Sequence, residues 1–273
     1  MTARIAFIGG GNMASSLIGG IIANGADASN ITASDPNLEQ QQKLQQQFAI
    51  NVTADNGQAI ANSDIVVLAV KPQLMAEVCQ AIKDLGLDLG AKLFISIAAG
   101  ISVKRLKGLL GEHVAIVRTM PNTPALVGRG MTGLYAAADV SSEQAASAEQ
   151  LMQAVGETCW VEQEDEINHI IAAAGSAPAY FFLFMEAMQQ HAEQLGFSPE
   201  QARKLVQQAA LGSAELVAAN PDLELATLRA NVTSKGGTTA EAIRVFEEQG
   251  VRKIVANAMD AAIARGREME SLF

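Results

Sequence analysis

The sequence is short of cysteine, histidine and positive charge. Its two cysteines, Cys79 and Cys159, lie far apart with no CxxC spacing. That excludes a disulfide framework or a thiolate zinc site and fits a reducing compartment, the cytoplasm. Both cysteines read as buried small hydrophobic residues. His113, His169 and His191 are scattered without metal-ligand spacing, so no metal site is expected. Nineteen Lys and Arg stand against 29 Asp and Glu, a net charge of −10. Such a chain has no clustered cations with which to neutralise phosphates, so neither nucleic acid nor a membrane surface is an expected partner. Long apolar runs are missing too. The apolar stretch after Arg4 stops at the glycines that begin with Gly9, too soon for a signal-peptide core. Ile170 to Met185 carries no charge, but Gly175, Ser176 and Pro178 interrupt it. It is too short to span a bilayer and reads as a buried helix with a special start.

What is present is a large apolar fraction, 49% of 273 residues, enough to build the core of one large domain or two modest ones. The first half alternates in character. "RIAFIG", "ITAS", "DIVVLAV", "LFISIAAG" and "VAIVRT" are short β-type runs, and "NMASSLIGGIIANG" and a Gln-rich amphipathic stretch fall between them at helical spacing. Near-continuous apolar strands alternating with helices predict a doubly wound, Rossmann-type α/β domain with a parallel sheet. "TGLYAA" and "TCWVE" read as later strands, with the helix "SEQAASAEQLMQAV" between them. After Glu164 the strand signals stop and Ala, Met, Gln and Glu dominate. We therefore expect a dinucleotide-binding domain at 1–163 and an all-α domain at 164–273. The helical part is too small for a full core of its own, which predicts pairing with a second copy.

"FIGGGNMA" places Gly9-x-Gly11-x-x-Ala14 between the first strand and the first helix. Gly9 allows the tight turn, Gly11 lets the backbone approach a pyrophosphate, and Ala14 allows close helix–strand contact. The helix start offers free N–H groups to the anion. Asp35 lies where an acid would meet a ribose 2′-hydroxyl, but Asp-Pro is equally a helix N-cap and its first residue. For a 2′-phosphate, Ser34 and Asn37 are the available donors. NADP(H) and NAD(H) both stay open at this point. Lys71-Pro72-Gln73 and Gly100 follow two buried strands, at the carboxyl edge where doubly wound sheets bind ligands.

"RTMPNTPALVGRG" (118–130) is a stiff turn with exposed polar groups between two prolines. Together with "GGGNMA", "VKPQ", "AGSAPAY" and "TSKGGTT", it resembles the Δ1-pyrroline-5-carboxylate reductases over essentially the whole chain. The resemblance implies an NAD(P)H-dependent enzyme that reduces a cyclic imine to L-proline, the last step of proline biosynthesis. It also implies a helical domain that interlocks into a homodimer, with dimers assembled into a larger ring. Gly9, Gly11, Asn12 and Met13 would hold the pyrophosphate, with Asn56 near the adenosine side. Ala69, Val70, Lys71 and Pro72 would border the cofactor, and Ala98 the nicotinamide. Pro178 would start a helix that walls the site, and Ser234 to Thr239 would form the substrate loop. The chain departs from the family pattern at Ala174 and Ala177, often Ser and Gly, and at Lys235, often Pro.

A substrate carboxylate accounts for the composition of that loop. Gly236 and Gly237 leave their N–H groups uncovered, Ser234 and Thr238 offer hydroxyls, and a helix beginning near Thr239 adds its positive end. Thr238-x-x-Glu241 also has the pattern of a capping box. Thr239 is the residue expected at the imine nitrogen. Two other readings compete. A β-hydroxyacid dehydrogenase would need a Lys with an Asn four residues on at the start of the helical domain. Here that spacing occurs at Lys253 and Asn257, where it reads as helix surface. A non-catalytic NAD(P)-binding module would have no use for "RTMPNTP" together with "TSKGGTT".

Overall fold

The computed structural model describes residues 3–272; Met1, Thr2 and Phe273, the outermost residues of the two expected domains, lie outside it. Eight strands form one sheet in the order β3-β2-β1-β4-β5-β6-β7-β8. β1 (Ile5–Ile8) lies between β2 (Ile31–Ser34) and β4 (Ile65–Leu68), parallel to both, with Ile5 level with Ile31 and Ile65. β3 (Asn51–Thr53), β5 (Leu93–Ser96) and β6 (Ala115–Met120) extend the parallel part. β7 (Gly130–Ala136) turns antiparallel against β6, and β8 (Gly156–Trp160) runs alongside β7.

Both faces of the sheet are covered, which is why its strands read as unbroken apolar runs. Ile5 and Phe7 face one core, shared with α1 (Asn12–Ala23), α2 (Leu38–Phe48) and α6 (Ser142–Gln153). Ala6 and Ile8 face the other, shared with α3 (Asn56–Ala61), α4 (Pro72–Asp84) and α5 (Val103–Leu110). The expected α/β architecture is borne out, with one strand unforeseen: β3, three residues at the sheet edge. Cys79 is buried in the second core, where burial pushes its thiol up to about 12. Cys159 is not buried as expected. It lies exposed on β8, an outermost strand with one free side.

The chain forms two compact units. One unit ends at Ser176 and takes up the chain again from Ala261; the other is Ala177–Asp260. In the first unit, α7 (Glu166–Ile170) is followed by one π turn, Ile171–Gly175, closed by a bond from Ser176 N–H to Ile171 O of 2.7 Å. The last turns of α12 (Val251–Leu272) belong to this unit through a buried ion network. Arg118, 1% exposed in the middle of β6, donates to Glu164 at 2.9 Å and to Glu270 at 2.7 Å. Asn168 also donates to Glu270, and Arg267 pairs with Asp165. Gly266 passes so close to Asn168 that a Cβ there would lie 2.5 Å from its Oδ1.

The second unit contains α8 (Ala177–Gln194), α9 (Pro199–Ala218), α10 (Leu225–Asn231) and α11 (Thr238–Glu248). Ser198 and Gln201 form a capping box at the start of α9, the arrangement that satisfies two orphan donors reciprocally. Its interior is thin: in α9 only Ala202 and Val206 are buried, and in α8 no residue is. The apolar stretch Ile170–Met185 is therefore not a buried helix. Beyond the π turn its side chains are open, Phe181 at 68% and Leu183 at 66% exposure. The helical segment Glu166–Gln194 is long and apolar enough to cross a membrane by length and composition, with a mean hydropathy of 1.5 over an 18-residue window.

Candidate active site

The nucleotide turn is built as its glycines require. Gly9 has φ +99°, and a Cβ on it would stand 2.7 Å from the carbonyl oxygen of Ala69. Gly9 thus lies against Ala69 and Val70, two of the residues expected at the cofactor. Gly11 is the N-cap of α1 without a side-chain hydrogen bond, and a Cβ on it would meet nothing within 4 Å. Asn12 and Met13 are the first residues of α1, where backbone N–H groups have no partner within the helix and the dipole end is positive. On the neighbouring strand, Lys71 is the exposed N-cap of α4 with Pro72 at the first helical position. Ala98 lies buried beyond β5, its N–H 3.4 Å from Ser96 Oγ.

Ser34 and Asn56 come together. Ser34 Oγ donates to Asn56 Oδ1 at 2.7 Å, and Ser34 itself is only 2% exposed. Asp35 does not cap α2. Asn37 does, accepting from Glu39 N–H at 2.9 Å. Asp35 instead accepts from Gly10 N–H at 2.8 Å and from Asn37 N–H at 2.9 Å, which ties the β2–α2 turn to the glycine turn.

The loop from Ser234 to Thr239 has its own close fit. Gly236 adopts φ +72°, and a Cβ on Gly237 would lie 2.5 Å from Ser234 Oγ. α11 starts at Thr238 with Gly237 as N-cap and no side-chain cap. The Thr238–Glu241 capping box does not form, because Glu241 lies one position too far into the helix and holds Arg244 at 3.0 Å instead. The first N–H groups of α11 are therefore left without a side-chain acceptor. Thr238 and Thr239 are exposed beside them. The Lys253 and Asn257 pair lies on the exposed surface of α12.

Sequence reasoning missed the part played by Asn122. It is not an exposed turn residue but 8% exposed, accepting from Met131 N–H at 2.9 Å and donating to Ala174 O at 3.0 Å. It joins the turn after β6 to the π turn. The only signal was an amide set between two prolines.

Parallel strands, a glycine turn open at Gly11 and ligand-facing loops at the strands' carboxyl ends define a dinucleotide-binding protein of the doubly wound α/β class. Residues 164–269 match the family model described as pyrroline-5-carboxylate reductase dimerisation, and residues 4–100 the one described as NADP oxidoreductase coenzyme F420-dependent. A pyrroline-5-carboxylate reductase of Vibrio alginolyticus is 56% identical over 99% of this chain and 98% of its own. The chain belongs to the pyrroline-5-carboxylate reductase family, NAD(P)H-dependent oxidoreductases acting on a C=N bond. A pyrroline-5-carboxylate reductase structure from Coxiella burnetii superposes with a TM-score of 0.92 at 42% identity, covering 98% of this chain and 99% of that one. The pyrroline carboxylate reductase of Plasmodium falciparum, solved with NADP bound, gives 0.86 at 30% identity and covers 98% of each chain.

Proposed function

We propose that this chain reduces Δ1-pyrroline-5-carboxylate to L-proline in the cytoplasm. Residues 1–163 serve the nucleotide, and residues 164–273 serve dimerisation and the substrate. Gly9, Gly11, Asn12 and Met13 hold the pyrophosphate, Ser34 and Asn56 floor the adenosine side, and Ala69, Val70, Lys71, Pro72 and Ala98 border the remainder. The observation that carries the substrate half is the uncapped start of α11. Gly236, Gly237 and the first helical N–H groups can take a carboxylate there without an arginine. Ser234 and Thr238 add hydroxyls, and Thr239 fixes the imine nitrogen; after hydride has reached the carbon, the neutral amine takes its second proton from water held by the Thr239 hydroxyl. The bound nicotinamide supplies hydride to the imine carbon. An imine that arrives protonated is already an electrophile, so the chain's main contribution is orientation.

The thin interior of Ala177–Asp260, with Phe181, Phe182 and Leu183 mostly open, supports a homodimer that buries them, and dimers that gather into a larger ring. Oxidation of NADPH or NADH with pyrroline-5-carboxylate, compared with 3-hydroxyisobutyrate and NAD(P), tests the activity. Turnover of the imine alone is expected; turnover of the hydroxyacid alone rejects this reading. Light scattering tests the assembly, and a fully active monomer rejects it.

A further inference from the structure

We infer that Asp35 makes this chain select NADH over NADPH. The inference rests on the nucleotide site proposed above and concerns its adenosine end. Asp35 directly follows β2, where an acid meets the ribose hydroxyls in doubly wound folds. Its carboxylate is held in place from two sides, by the N–H of Gly10 at 2.8 Å and that of Asn37 at 2.9 Å. Two backbone donors leave about half of a carboxylate's acceptor sites open, enough for a 2′-hydroxyl. A 2′-phosphate would meet a fixed negative charge there.

Among the described residues Asp35 makes no ion pair. No lysine or arginine occurs between Arg4 and Lys43, and Arg4 is paired with Asp64. The next turn of the sheet edge adds a second carboxylate. Asp35 N–H bonds Thr53 O at 3.0 Å, and two residues on Asp55 caps α3. The hydroxyl of Ser34 is directed to Asn56 Oδ1 and is buried, so its proton is not offered to a phosphate. The acceptor oxygen of Asn37 is spent on Glu39 N–H, which leaves its amide as a neutral donor at the tip of the turn.

Fluorescence titration with NADH and NADPH, and competition by ADP and by adenosine 2′,5′-bisphosphate, reads the preference without turnover. We expect NADH to bind about tenfold or more tightly than NADPH, since like charges brought together at an interface are costly. The gap should narrow as salt is raised. Asp35→Asn, which keeps an acceptor for Gly10, should shrink the gap severalfold, and Asp35→Ser should close it while NADH still binds. Equal affinities in the parent protein, or an unchanged ratio in Asp35→Asn with NADH binding intact, overturn the assignment. If the protein binds NADH selectively yet leaves pyrroline-5-carboxylate unreduced, the reductase reading falls and the role of Asp35 stands.

Discussion

Arg118 and Glu270 are 152 residues apart in sequence, and the guanidinium of one donates to the carboxylate of the other at 2.7 Å. Glu164 takes a second edge of the same guanidinium. Removing the arginine leaves two carboxylates facing each other with no cation between them. Arg118→Met should cost about 3–5 kcal/mol, the usual penalty for breaking a buried ion cluster. Glu270→Gln keeps the Glu164 contact and should cost less, about 1–3 kcal/mol. Urea unfolding of the assembled protein checks both, and an Arg118→Met protein as stable as its parent would contradict the network's role.

Asp165 and Arg267 give a pH-dependent effect of small size. The hydrogen bond from Arg267 holds the Asp165 carboxyl down at about 2, well below its ordinary value of 3.8. A depressed folded-state pKa stabilises above the unfolded value, and the gain disappears as the pH falls through the folded one. Both side chains are about half exposed, so solvent screening keeps the pair's contribution small. Arg267→Ala should therefore unfold slightly earlier than the parent at pH 6. The two curves should converge as the pH drops from about 4 towards 2. A difference that grows on acidification would speak against the pairing.

The two glycines of the nucleotide turn should fail in different ways. Gly11→Val fills the open cradle, so NAD(P)H affinity should fall by about tenfold or more while the fold persists. Gly9→Ala forces a Cβ against the Ala69 carbonyl at a φ of +99°, and stability itself should drop by about 1–3 kcal/mol. Thermal melts beside nucleotide titrations separate the two. Unchanged affinity in a folded Gly11→Val protein would move the pyrophosphate elsewhere.

Thr239 is the most direct test of the substrate loop. A hydrogen bond to a charged partner contributes about 1.5–3 kcal/mol, so Thr239→Val should lower kcat/KM for pyrroline-5-carboxylate by about ten- to a hundredfold. Nucleotide affinity should stay nearly the same. Normal turnover in the variant assigns Thr239 to the surface, and a matching loss of nucleotide affinity assigns the loop to the cofactor.

The sequence carried the sheet because burial on both faces writes itself as runs such as "IVVL" and "LFIS". It carried the glycine turn because only glycine satisfies both Gly9's left-handed φ and Gly11's open approach. β3 was invisible: three residues at an edge, one of them exposed, produce neither a run nor an alternation. Helix starts were misplaced by one or two positions at Asn37 and Gly237. There, several residues in a row could cap, and tertiary contacts decide which one does. Asn122 and Arg118 lay beyond any local pattern, since their partners are 52 and 152 residues away. The openness of Phe181 to Phe184 was hidden for another reason. An apolar helix reads the same whether its cover is in the same chain or in another copy.

The return of α12 to the sheet unit bears on the order in which the protein can be finished during its synthesis. All eight strands have been made by Trp160, yet the second carboxylate of Arg118 is at residue 270. At translation rates of about 5–20 residues per second, a half-closed sheet unit waits on the order of ten seconds. Throughout that interval Arg118 has Glu164 but not yet Glu270, and Met269, which packs against Gly100 in the finished protein, has not been made. A chain stalled after Asp260 has every strand it needs and still lacks the second carboxylate of Arg118 and the Met269 contact at Gly100.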